Sequence, residues 1–175
     1  MNNLKNNYAF IDGANLHKGL NVLGWNLDYQ RFRIWLKEKY SVQKAYIFIG
    51  FIKKYNYIYA DLKKSGYILI FKEIIHDKVG KIKGNCDAEL VLTAVSDYYE
   101  NNFEKMILVS SDGDYACLVN FLLEKNKFHT IISPNNKNRL SLLLKRTNAS
   151  IVYLDSQKSI LEFKNKKAPD ADETA

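Results

Sequence analysis

Short apolar runs alternate along the chain with longer segments whose apolar residues recur at helical spacing. The runs are rich in Ile, Val, Tyr and Phe, which favour β-strands. They predict strands over residues 8–11, 42–49, 67–71, 105–109, 129–132 and 151–154. Between the runs, apolar positions three and four residues apart predict amphipathic helices. These predicted helices cover residues 29–39, 55–64, 86–100, 114–125 and 139–146.

This alternation predicts an α/β fold in which helices cross over between parallel strands. Runs such as YILIF and MILV lack the alternation of half-exposed strands and suit strands that are covered on both faces. We therefore expect a Rossmann-like three-layer sandwich with a mostly parallel sheet of about five to six strands flanked by helices. A polar, lysine-bearing loop is predicted over residues 72–85.

Length and composition favour one folded domain. A chain of 175 residues suits a single domain, which we place at residues 1–164. Residues 165–175 are polar and charged with no apolar face, so we expect a disordered tail there. The N-terminus lacks the apolar run of a signal peptide, and no segment reaches the roughly 18 apolar residues that cross a membrane. These features predict a soluble, cytoplasmic protein.

Charge and cysteines narrow the choice of function. The net charge of +7 attracts polyanions but does not by itself indicate nucleic-acid binding. Cys86 and Cys117 are not spaced like a zinc site, so we expect both to be reduced core residues.

Four aspartates are the candidate catalytic residues, and three of them follow predicted strands. Asp12 follows the first strand, Asp112 and Asp114 follow the strand over 105–109, and Asp87 lies in the first turn of the helix over 86–100. Ligands of parallel α/β sheets bind beyond the carboxyl ends of the strands, so these carboxylates are expected to converge. Each alone could instead form a turn or cap a helix. Together they repel one another unless a cation such as Mg²⁺ or Mn²⁺ binds.

Three further residues are candidates for substrate binding near these acids. Asn15 follows Asp12 by three positions and could contact substrate, or cap a helix. Lys83 lies in the loop before Asp87 and could hold a phosphate. Ser111 precedes Asp112 and could hydrogen-bond the carboxylates, the turn or the substrate.

The motifs IDGANL, KGNCDAELVLTAV and ILVSSDGDYACLVNFL together resemble the NYN domain, a branch of the PIN-like nucleases, over residues 8–154. The resemblance implies metal-dependent cleavage of RNA at the four aspartates, with Mg²⁺ or Mn²⁺ as cofactor. It also matches Asn15 and Lys83 to polar residues of the family. Many relatives carry a further aspartate where this chain has Thr93, and Asp97 does not replace it. The resemblance therefore leaves open whether one metal ion or two bind.

Other functions compete with a ribonuclease. The first is a catalytically weak module that binds RNA or regulates a partner, and the clustered carboxylates argue against it. A phosphatase of the haloacid dehalogenase type needs a second aspartate two residues after the first, where this chain has Ala14. A dinucleotide-binding domain needs G-x-G-x-x-G, which DGANLHKG does not match. As a partner we expect RNA. An exposed face of the last predicted helix could pair two copies of the chain, and the sequence leaves the oligomeric state open.

Overall fold

Strands and helices alternate along the chain. The computed structural model describes residues 6–72, 75–76, 82–83 and 86–164, with backbone alone for 75–76 and 82–83. Its strands are β1 (Asn7–Asp12), β2 (Val42–Gly50), β3 (Ile68–Lys72), β4 (Ile75–His76), β5 (Ile82–Lys83), β6 (Met106–Val109), β7 (Phe128–Ser133) and β8 (Ile151–Tyr153). Its helices are α1 (Gly13–Leu23), α2 (Tyr29–Tyr40), α3 (Asn56–Lys64), α4 (Asp87–Tyr99), α5 (Ala116–Glu124), α6 (Leu142–Arg146) and α7 (Lys158–Leu161).

The main sheet has six parallel strands in the order β3-β2-β1-β6-β7-β8. The strand order reverses between β1 and β6, because the chain moves outward from β1 to β3 and then returns to β6. Such a reversal opens a crevice at the carboxyl edge of the sheet. The prediction of a three-layer α/β sandwich with a parallel sheet is confirmed.

Each face of the sheet has its own hydrophobic core. Ile11 of β1 packs with Leu16 of α1 and Leu36 of α2 on one face. Phe10, one residue earlier, packs with Leu90 of α4 and Leu118 of α5 on the other face. Successive residues of a strand point to opposite faces, so β1 is apolar throughout because both faces are covered. Asp12 follows this alternation and lies on the α4–α5 side.

Besides the short helix α7, which was not predicted, the structure differs from the predicted elements at three places. Helix α1 was not predicted, because its two glycines, Gly13 and Gly19, weaken the helical pattern around Leu16 and Leu20. A two-stranded antiparallel sheet of β4 and β5 lies in the stretch predicted as a loop. Helix α6 begins at Leu142, three residues later than predicted, since the Ser141 hydroxyl accepts from the Leu143 amide and caps it.

The region predicted as a tail, 165–175, lies outside the described residues. In the described part of the chain, no helix combines the length and apolarity that crossing a membrane requires.

Candidate metal centre at the carboxyl edge of the sheet

Asp12 ends β1 and begins α1. Its Oδ1 accepts a hydrogen bond from the Asn15 backbone amide at 2.9 Å, which caps the helix. Only 7% of the residue is exposed. The next residue, Gly13, allows the close approach of α1 to β2, because a Cβ there would lie 2.9 Å from the carbonyl oxygen of Phe48. The position of Asp12 is therefore restrained by the hydrogen bond of its side chain and by the close packing of the neighbouring Gly13 against β2.

Asp112 and Asp114 lie in a tight turn after β6, the strand beside β1. The Asp112 amide donates to Ser110 Oγ at 3.1 Å, and Asp112 Oδ1 accepts from the Asp114 amide at 3.1 Å. These bonds start a short 3-10 turn, Gly113–Tyr115, that leads into α5. Asp112 is partly buried, whereas Asp114 is exposed. The turn thus presents one carboxylate inside the crevice and one at its mouth.

Asp87 completes the cluster from the first turn of α4. One ligand oxygen from each of Asp87, Asp112 and Asp114 lies within 4.8 Å of the others. Oxygen atoms at this spacing, from three carboxylates, are a donor set that suits a hard divalent cation. The structure therefore brings together three of the four predicted aspartates as a possible metal site.

Asp12 lies close to this cluster but is joined to it through Tyr115. The Tyr115 hydroxyl lies 2.6 Å from Asp87 Oδ1 and 3.2 Å from Asp12 Oδ2, so it bridges the two carboxylates. Burial raises the pKa of Asp12 above its ordinary value of 3.8, and the nearby charges of Asp87 and Asp112 raise it further. The hydrogen bonds from Asn15 and Tyr115 act in the opposite direction. Asp12 is thus a buried acid beside a more open cluster.

Sequence reasoning missed Tyr115. It is fully buried, and burial together with the Asp12 and Asp87 carboxylates raises its pKa well above 10, so the hydroxyl stays protonated and able to donate. Its position directly after Asp114 was visible in the sequence. An aromatic residue at the start of a helix is ordinarily a core residue, so nothing in the pattern indicated that its hydroxyl would face two carboxylates.

Asn15 and Ser111 hold the edges of the crevice together. Asn15 Oδ1 accepts from both the amide and the hydroxyl of Ser111, at 2.9 and 2.8 Å. The Ser111 hydroxyl accepts in turn from Asn135 Nδ2 at 2.7 Å. This chain of bonds joins α1, the turn after β6 and the loop after β7. Asn15 lies inside α1, and Asp12 is the cap that Asn15 was alternatively predicted to be.

Three polar residues further along α4 lie outside the cluster. Glu89 pairs with Lys72 at 3.0 Å, and although burial acts against it, the hydrogen bond and charge of Lys72 lower the pKa of Glu89. The Thr93 hydroxyl donates to the Glu89 carbonyl within α4, at 2.7 Å. Asp97 accepts from Asn102 at the far end of the helix, so it does not join the site. The Lys83 side chain lies outside what the structure describes.

The cysteines are free, as predicted, but only one is in the core. Cys86 is buried beside the site, whereas Cys117 is exposed on α5, so the prediction of a core position is wrong for Cys117. Burial raises the pKa of Cys86 to about 11, and the Asp12 and Glu89 carboxylates add to the effect. Cys86 is therefore a neutral thiol at physiological pH and not a nucleophile.

We predict that Tyr115→Phe destabilises the metal-free protein. The change leaves Asp87 and buried Asp12 without their shared donor, and a hydrogen bond to a charged group contributes about 1.5–3 kcal/mol. Urea unfolding at pH 7.5 in EDTA measures the loss. Tyr153→Phe is the matched control, since Tyr153 is partly buried against the same core cluster. Equal midpoints for the two variants would show that the bridging hydroxyl adds no stability.

The fold and the three clustered carboxylates define an α/β domain of the nuclease type with a possible metal site. The chain belongs to the NYN domain family, whose model matches residues 8–155, and NYN domains are part of the PIN-like nuclease superfamily.

Comparison with solved structures gives a match of fold. A crystal structure of a protein of unknown function from Vibrio parahaemolyticus superposes with a TM-score of 0.75 at 22% identity, covering 92% of this chain and 99% of that chain. No curated protein matches the chain significantly.

Proposed function

We propose that the protein is a divalent-metal-dependent ribonuclease that hydrolyses phosphodiester bonds of RNA. The observation that carries the proposal is the cluster of Asp87, Asp112 and Asp114 at the carboxyl edge of a parallel sheet. Membership of the NYN family supports it, as does the net charge of +7, which favours approach of a polyanion. RNA is the partner that we infer, and pairing of two copies of the chain stays a prediction.

The donor set fits Mg²⁺ or Mn²⁺. Three carboxylate oxygens within 4.8 Å are hard ligands, and their mutual repulsion is relieved by a divalent charge. Asp87, Asp112 and Asp114 would hold the ion, with Asp12 as the fourth acid that adds negative charge behind them. When bound, such an ion polarises the phosphodiester, lowers the pKa of water and stabilises the leaving oxygen.

The residues around the cluster orient it and the substrate. The Tyr115 hydroxyl lies within hydrogen-bond distance of both Asp87 and Asp12 and shares its single proton between them, which restrains both carboxylates. Asn15 uses its Oδ1 to accept from Ser111, which directs its amide nitrogen to donate to a phosphate oxygen. Ser111 is 6% exposed, and its hydroxyl donates to Asn15 and accepts from Asn135. It therefore supports substrate binding by positioning Asn15. Lys83 is proposed to contact a phosphate.

Cleavage of labelled single-stranded RNA in Mg²⁺, Mn²⁺ or EDTA tests the proposal. We expect cleavage only with metal. Asp112→Asn should lower the cleavage rate about a hundredfold, which corresponds to a loss of about 2.7 kcal/mol of transition-state stabilisation at tenfold per 1.36 kcal/mol. Asp155→Asn is the matched control, since Asp155 is an exposed aspartate of the short turn after β8. DNA of the same sequence, assayed in parallel, shows whether cleavage depends on the sugar of the substrate.

Binding of RNA without cleavage under any ion would overturn the ribonuclease proposal. It would favour the alternative, a catalytically weak module that binds RNA or regulates a partner. The observation that favours this alternative is Thr93, whose hydroxyl is bound within its own helix where many relatives have an additional acid.

A further inference from the structure

We infer that a pocket between α1 and α3 binds an unpaired nucleobase of the RNA. This inference rests on the proposed function, because it adds a second contact to the same substrate. The base pocket, as we call it, has a volume of about 340 Å³. The residues that form it include Ala14, His17, Tyr29, Ile49, Tyr55 and Tyr59. Its size lies at the small end of the range for organic ligands, roughly 300–1,000 Å³.

The base pocket lies next to the acids but on the other face of the sheet. Gly13 and Ala14 line it, and they directly follow Asp12. Its floor includes Ile47, which pairs in register with Ile11. Because Ile11 and Asp12 point to opposite faces of β1, the pocket and the carboxylates flank the end of the same strand. One strand of RNA that crosses this edge therefore reaches both.

The walls of the base pocket are aromatic and fixed. The Tyr59 hydroxyl donates to the Gly50 carbonyl at 3.2 Å and accepts from the Ile52 amide at 3.0 Å. The Tyr29 ring packs edge-on against Tyr67, with ring centroids 6.2 Å apart. A preformed slot of rings and aliphatic side chains suits a flat, neutral group. Nucleobases stack on such surfaces with about 1–3 kcal/mol each, whatever their sequence.

The charges at the mouth favour a base that is attached to a phosphate chain. Lys54 Nζ lies 4.9 Å from the centroid of the Tyr55 ring, which lines the pocket. Lys53 is exposed in the same short 3-10 turn, Lys53–Tyr55. Two cations beside an apolar slot match a neutral base with phosphates on either side. His17 also lines the pocket, with its Nε2 3.1 Å from Asn21 Nδ2, so its ring adds a polar group that a base can contact.

Binding of single-stranded RNA in EDTA tests the base pocket separately from cleavage. The probe is a fluorescent 12-nucleotide RNA, and fluorescence anisotropy measures its affinity. Tyr55→Ala removes a stacking wall, and Ala14→Leu fills the pocket from the exposed start of α1. Both are expected to weaken binding about 5- to 100-fold. Tyr57→Ala is the matched control, since Tyr57 is 66% exposed on α3 and does not line the pocket.

Abasic substitution identifies the occupant. Because the pocket accepts any base, abasic nucleotides at all positions of the RNA should weaken binding to the wild type more than binding to Tyr55→Ala. Equal affinity of Tyr55→Ala, Ala14→Leu and Tyr57→Ala, or an equal effect of the abasic substitution on all proteins, would overturn the inference. Tyr55-dependent binding of adenosine monophosphate without any effect on RNA would also overturn it. If the abasic result holds while no RNA is cleaved, the base pocket stands and the ribonuclease proposal fails.

Discussion

Asp12→Asn is expected to lower RNA cleavage on the order of a thousandfold and, at the same time, to stabilise the metal-free protein at neutral pH. Removing one group that stabilises a transition state electrostatically in a water-excluded site costs about 10²–10³ in rate. Asp12 is only 7% exposed, so its charge acts through a less polar medium than that of Asp112. Its effect on cleavage should therefore be the larger of the two.

The gain in stability follows from the raised pKa of Asp12. Burial, with the charges of Asp87 and Asp112, raises this pKa above 3.8 in the folded state. A folded-state pKa above the unfolded value favours folding at pH below 3.8, and that contribution is lost as the pH rises through the folded pKa. At neutral pH the buried charge is therefore a cost. Asparagine removes it, because its amide oxygen can still accept from Asn15 and its nitrogen can donate to the Tyr115 hydroxyl.

Unfolding in urea at pH 4, 5.5 and 7.5, in EDTA, measures this difference. We expect the advantage of Asp12→Asn over the wild type to grow with pH. Asp155→Asn serves as the control, since it removes the same charge from an exposed position. A wild type that is more stable than Asp12→Asn at pH 7.5 would show that the Asp12 charge is fully compensated without metal. That outcome would contradict the prediction that the buried Asp12 charge destabilises the metal-free protein at neutral pH.

Phe10→Ala is expected to destabilise the protein by about 3–5 kcal/mol, the range for truncation of a buried aromatic residue. Phe10 is fully buried, and its ring centroid lies 5.2 Å from that of Tyr46 and 6.2 Å from that of Phe48. This loss is a large part of the roughly 5–15 kcal/mol that stabilises a typical domain. Because Phe10 precedes Asp12 by two residues on the same face of β1, the loss should also loosen the acidic cluster.

Thermal unfolding checks the prediction. For a protein of this size the melting temperature should fall by roughly 6–20 °C, at about 2–4 °C per kcal/mol. Phe163→Ala is the control, since Phe163 is 55% exposed and its truncation should change stability by no more than about 0.5 kcal/mol. A fall of only a few degrees in Phe10→Ala would indicate that Tyr46 and Phe48 close over the cavity.

Local pattern predicted most of the secondary structure. The strands agree to within one residue at each end, because buried strands of a parallel sheet are continuous apolar runs between polar turns. Helix α1 was not predicted, since its buried residues include Gly19, which is needed for a tertiary contact and weakens the local helical pattern. A Cβ at Gly19 would lie 2.7 Å from the Pro134 carbonyl oxygen, a constraint that no local pattern records.

By itself, the sequence determined the parallel α/β fold and the placement of acidic residues after β1 and β6 and at the start of α4. Both follow from hydrophobic period and from the order of elements, which are local properties of the chain. Only the tertiary structure decided that Asp87, Asp112 and Asp114 form the close cluster, that Tyr115 joins Asp12 to it, and that an aromatic pocket lies across β1. Those features depend on side-chain directions between elements far apart in sequence, such as Asp12 and Tyr115, and packing of the whole core sets these directions.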